Sequence, residues 1–305
     1  MSVATRQSYS EAIVALSQNP DIVVLDADLA AATKSGSFKK ACPERFFDMG
    51  IAEQDMICTA AGLATCGKIP FASTFAMFAA GRAFEQIRNS VAYPKLNVKI
   101  AVTHAGVTVG EDGGSHQAIE DISLMRSVPN MVVLNPADDA EAKQAIKAAA
   151  EYYGPVYIRL GRAATPDVHG DDYKFEIGKG EILREGKDVA LIGTGIMVAK
   201  CLEAADELAK EGIEATVVNI GTIKPLDEEL VVKVAKATGK VVTAEEHSII
   251  GGLGSAVAEV LSEQCPTKMA RIGVKDQFGC SGSPKLLLEK YGLTPKDIVA
   301  AAKGL

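Results

Sequence analysis

The highest density of chemically capable side chains lies in residues 102–117, Val-Thr-His-Ala-Gly-Val-Thr-Val-Gly-Glu-Asp-Gly-Gly-Ser-His-Gln. This stretch holds His104 and His116, two of the four histidines in the chain, together with Glu111 and Asp112. Imidazoles exchange protons near neutral pH, and carboxylates accept hydrogen bonds from hydroxyl groups, so the combination suits proton transfer at a polar substrate. A glycine-rich surface loop with two solvated histidines is the alternative interpretation, because short motifs produce false positives.

Buried strands are predicted to precede this loop and the other polar segments. Apolar residues over 98–102 predict a strand that runs into the loop, and residues 22–25 (Ile-Val-Val-Leu) predict one that ends at Asp26-Ala-Asp28. Strand and helix patterns alternate along the whole chain, which indicates an α/β fold. We expect two successive domains, each a mainly parallel sheet with helices on both faces and with ligands at the carboxyl ends of the strands.

The composition changes at the middle of the chain. Residues 166–173 (Pro-Asp-Val-His-Gly-Asp-Asp-Tyr) are polar and turn-rich, and glycines follow at 178, 180 and 186. These turn signals predict a first domain over 1–165, a linker with a hairpin-like segment over 166–186, and a second domain over 187–305.

The overall composition excludes several classes of protein. The 305 residues carry a formal net charge of −7, which argues against a nucleic-acid groove or an anionic membrane surface. There is no apolar run of about 18 residues and no apolar signal core at the start, so we expect neither a membrane span nor a secretory signal. The six cysteines are scattered without a CxxC pair, which is typical of reduced thiols in a cytoplasmic protein.

A partial dinucleotide fingerprint occurs at Gly193-Thr-Gly195, between a predicted strand and a predicted helix. The third glycine position falls on Val198, and the next predicted strand ends without an acidic residue. A tight strand-to-helix turn therefore explains these glycines better than an NAD site.

Several motifs taken together resemble the transketolase family. Residues 49–54 (Met-Gly-Ile-Ala-Glu-Gln), 73–78 (Ser-Thr-Phe-Ala-Met-Phe), 103–104 and 110–117 resemble its pyrimidine-binding domain in order and spacing. Residues 222–227 (Thr-Ile-Lys-Pro-Leu-Asp) and 245–255 resemble the C-terminal domain of transketolases and deoxyxylulose-phosphate synthases. The family's diphosphate-binding Gly-Asp-Gly motif does not occur. The resemblance therefore implies the C-terminal half of a split two-subunit transketolase of pentose phosphate metabolism.

The resemblance also implies roles for individual residues. The family uses thiamine diphosphate, which would contact Asp28, Glu53, Phe75 and Phe78, with Glu53 facing N1′ of the pyrimidine ring and the two phenylalanines packing against that ring. The substrate, a sugar phosphate, would be bound by the side chains of Arg6, His104, Asp112, His116 and Arg162, the two arginines taking the phosphate. Glu53, His104 and His116 would be the catalytic residues. A separate N-terminal subunit would hold the diphosphate and its Mg²⁺ or Ca²⁺ ion, so no metal ligand is expected in this chain.

The assembly implied is a homodimer of this chain within a heterotetramer. The sequence departs from the family at two places: Thr33 and Ser35 are the candidates to replace a phosphate-site serine, and Gly81 replaces an aromatic residue of the pyrimidine pocket. The β subunit of a 2-oxo acid dehydrogenase, a deoxyxylulose-phosphate synthase-like enzyme and a non-catalytic homologue are the alternatives. Residues 110–117 favour transketolase over the first two, and the joint presence of Glu53, His104 and His116 argues against the third.

Overall fold

The computed structural model describes residues 2–170 and 172–305; Asp171, inside the predicted linker, lies outside the described residues. The strands are β1 (Ser2–Ala4), β2 (Ile22–Asp26), β3 (Phe46–Asp48), β4 (Ile69–Phe75), β5 (Lys99–Thr103), β6 (Val132–Leu134), β7 (Val156–Arg159), β8 (Ala164–Pro166), β9 (Glu181–Arg184), β10 (Val189–Gly193), β11 (Ala215–Asn219), β12 (Thr222–Lys224), β13 (Lys240–Ser248) and β14 (Lys268–Val274).

The α-helices are α1 (Thr5–Ala15), α2 (Ala30–Thr33), α3 (Gly36–Ala41), α4 (Glu53–Thr65), α5 (Phe84–Gln86), α6 (Asp121–Ser127), α7 (Asp139–Glu151), α8 (Met197–Lys210), α9 (Glu228–Thr238), α10 (Leu253–Gln264), α11 (Pro284–Lys290) and α12 (Pro295–Gly304). Short 3₁₀ turns occur at Leu16–Gln18, Pro43–Arg45 and Val107–Val109, and π-helical turns at Phe78–Arg82 and Ile87–Ala92. In the described part of the chain, none of the helices has the length and apolar character needed to cross a membrane.

Two main sheets form the scaffold. The first has the order β12-β6-β7-β5-β4-β2-β3, and the second has the order β14-β13-β10-β11-β9. Both are parallel except at one edge, where β12 and β9 run antiparallel to their neighbours. A small antiparallel pair, β1 with β8, stands beside them. The α/β fold with two mainly parallel sheets is confirmed.

Alternating strand residues bury both faces of the first sheet. In β2, Ile22 and Val24 pack in a cluster with residues of α1 and α7, whereas Val23 and Leu25 pack in a second cluster with residues of α4. Successive side chains of a strand point to opposite faces, so a continuous apolar run requires cover on both sides. Helices therefore cover both faces, as expected.

Residue patterns left two pairings unassigned. Strand β9 lies within the predicted linker, where it pairs with β11 of the second sheet instead of forming a local hairpin. Strand β12 comes from the second half of the chain but pairs with β6, so Thr222 lies opposite Leu134 in the first sheet. Local patterns report burial and not the identity of a distant partner, which explains both differences.

The halves are joined by polar contacts as well as by this shared sheet. Asn135 Nδ2 donates to Thr194 Oγ1 at 3.1 Å, and the backbone amide of Gly195 donates to the carbonyl of Asn135 at 3.2 Å. Gly195 has a φ of 55°, and a Cβ there would lie 2.7 Å from Asn135 Nδ2. The Gly-Thr-Gly turn is thus packed by the other domain, in agreement with the tight-turn interpretation.

Candidate active site

The candidate residues converge at the carboxyl ends of the strands of the first sheet. Phe75 is the last residue of β4, His104 follows β5, and Arg162 lies three residues after β7. In the parallel pair β4–β5, Phe75 is in register with Thr103, which places His104 beside it. Parallel strands bring the loops that follow them to one edge, so residues far apart in sequence meet there.

Aromatic and imidazole rings form a continuous wall at this edge. The rings of Phe75 and His104 are stacked with centroids 3.8 Å apart at 23°. Phe78 is stacked with Phe75 at 5.7 Å and 19°, and His116 meets Phe78 edge-on at 5.3 Å. Offset-stacked and edge-on rings offer a flat apolar surface, so the wall suits a planar aromatic ligand.

His104 is held in one neutral tautomer. Its side chain is 3% exposed, its Nδ1 lies 2.8 Å from Thr103 Oγ1, and Arg6 Nη1 lies 3.4 Å from its Nε2. Arginine only donates, so Nε2 accepts and the ring proton sits on Nδ1. Burial lowers the His104 pKa to about 3, reinforced by nearby cations, Arg6 foremost. The imidazole therefore stays uncharged at neutral pH.

Cationic side chains cluster beside His104. Burial lowers the pKa of Arg6, and the positive charge of Arg162 lowers it further, so the two guanidinium groups lie within electrostatic range of each other. Lys34 adds a third positive charge at the same histidine. Arg162 donates to the carbonyl of Val109. Like charges brought together in this way favour an anionic ligand such as a phosphate.

Glu53 is a buried carboxylate with one free oxygen. It is the first residue of α4 and 1% exposed, and Arg82 Nη1 lies 2.7 Å from its Oε2. Its Oε1 is buried without a hydrogen-bond partner. The guanidinium of Arg82 also lies over the ring of Phe78, 4.7 Å from the centroid. An unpaired buried acceptor is costly, so this oxygen is suited to a ligand nitrogen at the aromatic wall.

The other candidates lie at the rim or elsewhere. Asp112 is exposed and pairs with Arg162 at 3.6 Å, at a distance where such surface pairs contribute little. Asp28 is exposed with a φ of 62°, and within residues 2–170 and 172–305 it makes no hydrogen bond or ion pair with the other candidates. Gly81 packs against the end of Met77, where a Cβ would lie 2.4 Å from Cε.

The two candidates for the phosphate-site hydroxyl are engaged by a different group. Thr33 Oγ1 and Ser35 Oγ both donate to Asp26 Oδ2 at 2.8 Å, and the backbone amide of Leu29 donates to Asp26 Oδ1. Burial raises the pKa of Asp26 to about 6 against these three hydrogen bonds, which lower it. These hydroxyls therefore order the loop after β2.

Sequence reasoning missed three residues of this site. Arg82 lies four positions after Phe78, a helical spacing that could have placed both on one face. Lys34, which acts on His104, and Glu246, which accepts a hydrogen bond from the Thr108 amide, gave no local signal for these contacts, because each partner is distant in sequence. Arg159, three residues before Arg162 and at the end of β7, is buried in an ion pair with Asp121 at 2.8 Å and is not part of this site.

The fold and the site together define a two-domain α/β protein with a wall of aromatic rings and a cluster of cationic side chains at the strand ends. Two family models match the chain: "Transketolase, pyrimidine binding domain" over residues 1–167 and "Transketolase, C-terminal domain" over 178–298. The chain belongs to the transketolase family and carries these two domains.

Individual relatives agree with this assignment. A solved split-gene transketolase, described as an inactive β4 tetramer, is 61% identical, with a TM-score of 0.93 over 99% of this chain and 98% of its own. A 6-deoxy-6-sulfo-D-fructose transketolase subunit of Clostridium sp. is 48% identical over 97% of this chain and 92% of its own length. A 1-deoxy-D-xylulose-5-phosphate synthase of Desulfotalea psychrophila is 42% identical over 94% of this chain and 45% of its own length.

Proposed function

We propose that this chain is the pyrimidine-binding subunit of a two-subunit transketolase, which transfers a two-carbon ketol unit from a ketose phosphate to an aldose phosphate. The observation that carries the proposal is the unpaired, buried Oε1 of Glu53, linked through Arg82 to the aromatic wall. A carboxylate in this position suits a proton shared with a ring nitrogen of a planar ligand.

The residues present fit the pyrimidine end of thiamine diphosphate. Phe75 and Phe78 would form the apolar wall against which the ring packs, and Glu53 Oε1 would hold a proton against its N1′. When bound, the cofactor supplies the carbanion chemistry. Burial of Glu53 keeps water from competing for this oxygen, and Arg82 balances the charge of the carboxylate.

The substrate roles follow from charge and position. Arg6 and Arg162 would bind the terminal phosphate, for which two guanidinium groups within electrostatic range of each other are suited. Neutral His104 would hydrogen-bond a sugar hydroxyl, and His116 would take and return a proton at the reacting carbons. Asp112 would accept a hydrogen bond from another hydroxyl at the rim, and Asp28 would contact the cofactor.

The partner would be a separate subunit that binds the diphosphate and its Mg²⁺ or Ca²⁺ ion. Among residues 2–170 and 172–305, no group of three or more His, Cys, Asp or Glu side chains is placed to hold a metal ion. The inactive β4 state described for the split-gene relative is what we expect of this subunit by itself. We propose that two copies sit in a heterotetramer in the cytoplasm, with twofold symmetry.

Reconstitution tests the proposal. This chain is assayed alone and after mixing with a transketolase N-terminal subunit, thiamine diphosphate and Mg²⁺, with hydroxypyruvate or a ketose phosphate as donor and an aldose as acceptor. Ketol transfer by the mixture, with negligible transfer by the chain alone, is the expected result. Transfer by the chain alone at the rate of the mixture would overturn the split-enzyme proposal.

The alternative enzymes would be distinguished by the donor substrate that each uses. Pyruvate with glyceraldehyde 3-phosphate serves as the control, because a deoxyxylulose-phosphate synthase-like enzyme would condense them and a transketolase would not. Decarboxylation of a 2-oxo acid without transfer to an aldose would instead indicate a dehydrogenase subunit. Native mass spectrometry of the mixture, with two copies of each subunit expected, checks the assembly.

A further inference from the structure

A carboxylate of the second domain reaches into the active-site loop of the first. Glu246, near the end of β13, is 5% exposed, and its Oε1 accepts a hydrogen bond from the backbone amide of Thr108 at 2.5 Å. Thr108 is the middle residue of the 3₁₀ turn Val107–Val109, within the loop that carries His104 and His116. The two partners are 138 positions apart in sequence.

The loop is shaped to receive this side chain. Gly106 has a φ of 80°, and a Cβ there would lie 2.3 Å from the carboxyl carbon of Glu246 and 2.5 Å and 2.6 Å from its oxygens. Any larger residue at this position would therefore displace the carboxylate. The backbone amide of Gly106 donates to the carbonyl of Ala118, so the turn is also fixed from the far end of the loop.

Glu246 is itself fixed from behind. Its backbone carbonyl accepts a hydrogen bond from Arg159 Nη2 at 3.0 Å, and Arg159 is held by Asp121 in a buried ion pair. Because the backbone of Glu246 is held by Arg159, its side chain has little freedom to follow a moving loop and acts as a fixed support.

The hydrogen bond from the Thr108 amide connects Glu246 to the cluster of cationic side chains. Thr108 is adjacent to Val109, whose carbonyl accepts the hydrogen bond from Arg162 Nη1. That carbonyl is the hydrogen-bond acceptor of the guanidinium, which also lies 3.6 Å from a carboxylate oxygen of Glu111 and of Asp112. A shift of the turn would therefore move Arg162 relative to Arg6, whereas His104 is held separately through Thr103 and the stack on Phe75.

We propose that Glu246 is a positioning residue for the active-site loop: it fixes the turn Val107–Val109 from the second domain and so places Arg162 to bind the substrate's anionic end. The loop-positioning part stands on the geometry alone, and the link to substrate rests on the function proposed above. Through this contact the C-terminal domain contributes to substrate binding without touching the substrate.

Hydrogen exchange on the full chain tests the positioning independently of activity. Glu246→Ala removes the acceptor, so exchange at the Thr108 amide is expected to accelerate by about tenfold or more, while Glu246→Gln retains an acceptor oxygen and should stay within about threefold of the original protein. If the alanine variant does not fold, Glu246→Asp, which withdraws the carboxylate by one methylene, replaces it with the same expectation.

Glu245 provides a matched control. It is the preceding residue of β13 and equally buried, but it accepts from the amides of Leu253 and Gly254 within its own domain. Glu245→Ala should loosen the start of α10 and leave Thr108 protected. Unchanged exchange at Thr108 in the Glu246→Ala variant, or equal acceleration in both alanine variants, would overturn the proposal.

Kinetics of the reconstituted enzyme test the link to substrate. With a ketose phosphate as donor and an acceptor without phosphate, Glu246→Ala should raise KM about tenfold with a smaller change in kcat. Glu246→Gln should instead have a KM close to that of the original protein. With hydroxypyruvate the KM should change by less than about threefold. Equal loss with both donors would overturn the assignment to Arg162. An inactive original complex would instead contradict the proposed function and leave the exchange result standing.

Discussion

Arg82 and Glu53 form an ion pair at 2.7 Å that uses only one of the two carboxylate oxygens. Arg82 is half exposed and stacked over Phe78, whereas Glu53 is buried. The pair therefore neutralises the charge of Glu53, fixes its orientation and leaves Oε1 without a hydrogen-bond partner. The proposed proton-handling group is thus positioned by a residue 29 positions away in sequence.

Replacement of Glu53 should abolish the chemical step and spare binding. Glu53→Gln keeps the shape of the side chain but removes its ability to hold a proton against the pyrimidine, so turnover should fall by about 10²–10⁴-fold or more. The measurement is proton exchange at C2 of the bound cofactor in the reconstituted complex. Asp55→Asn, an exposed change in the same helical turn, is the control. An unchanged exchange rate in Glu53→Gln would place the activating group elsewhere.

Loss of Arg82 should expose the cost of an unpaired buried carboxylate. Because Arg82 is half exposed, we expect Arg82→Ala to lower the free energy of unfolding by about 1 kcal/mol, less than for a fully buried pair. Denaturant unfolding of Arg82→Ala, Glu53→Gln and the double variant measures the coupling. Arg88→Ala, at an exposed arginine of the same segment, is the control. Strictly additive effects would show that the pair does not contribute to stability.

Loss of Arg162 should weaken phosphate binding, whereas loss of His116 should slow the chemical step. Loss of one charge-assisted hydrogen bond costs about 1.5–3 kcal/mol, so Arg162→Ala should lower kcat/KM roughly 10- to 150-fold for a ketose phosphate. It should spare hydroxypyruvate, which has no phosphate. His116→Ala should impair both donors, because it acts at the reacting carbons.

The assay compares both variants with both donors, and its acceptor lacks a phosphate so that acceptor binding does not mask the difference. Arg6→Ala should behave as Arg162→Ala does. Equal slowing of both donors by Arg162→Ala would show that this arginine has a structural or catalytic role. An effect of His116→Ala on the phosphorylated donor alone would reverse the two assignments.

The buried acid at the domain junction should make stability depend on pH. Burial raises the pKa of Glu246 from 4.5 to about 7, with Arg159 opposing the shift and Asp121 adding to it. Below pH 4.5 the folded and unfolded chains are both protonated at this position. Between pH 4.5 and about 7, the Glu246 carboxyl ionises in the unfolded chain but stays protonated in the folded chain, where burial makes ionisation costly. The free energy of unfolding therefore falls as the pH rises through this window.

Glu246→Gln removes this titration and keeps the hydrogen-bond acceptor. Between pH 5 and pH 8, the variant should gain roughly 1–3 kcal/mol in the free energy of unfolding relative to the original protein. Urea unfolding at both pH values measures the difference. Glu245, whose pKa is also raised to about 7 by burial, remains in both proteins and cancels from the comparison. A constant difference across the window would contradict the expectation.

The sequence by itself determined the scaffold and most of the residue types at the site. Apolar runs such as residues 22–25 predict strands buried on both faces, and their alternation with helices indicates mainly parallel sheets. Because the ends of parallel strands meet at one edge, residues that follow different strands, such as Phe75 and His104, could be expected to come together there.

Only the tertiary structure decided which side chains meet. Residue patterns report burial and local backbone geometry, but the partner of a side chain depends on how distant elements pack. Arg82 reaches Glu53, Thr33 and Ser35 turn to Asp26, and β12 joins the sheet of the other domain. Glu246 and Thr108 are 138 positions apart in sequence, and the Glu246 carboxylate reaches the Thr108 amide because the second domain packs against the loop. No local pattern in either segment predicts this contact.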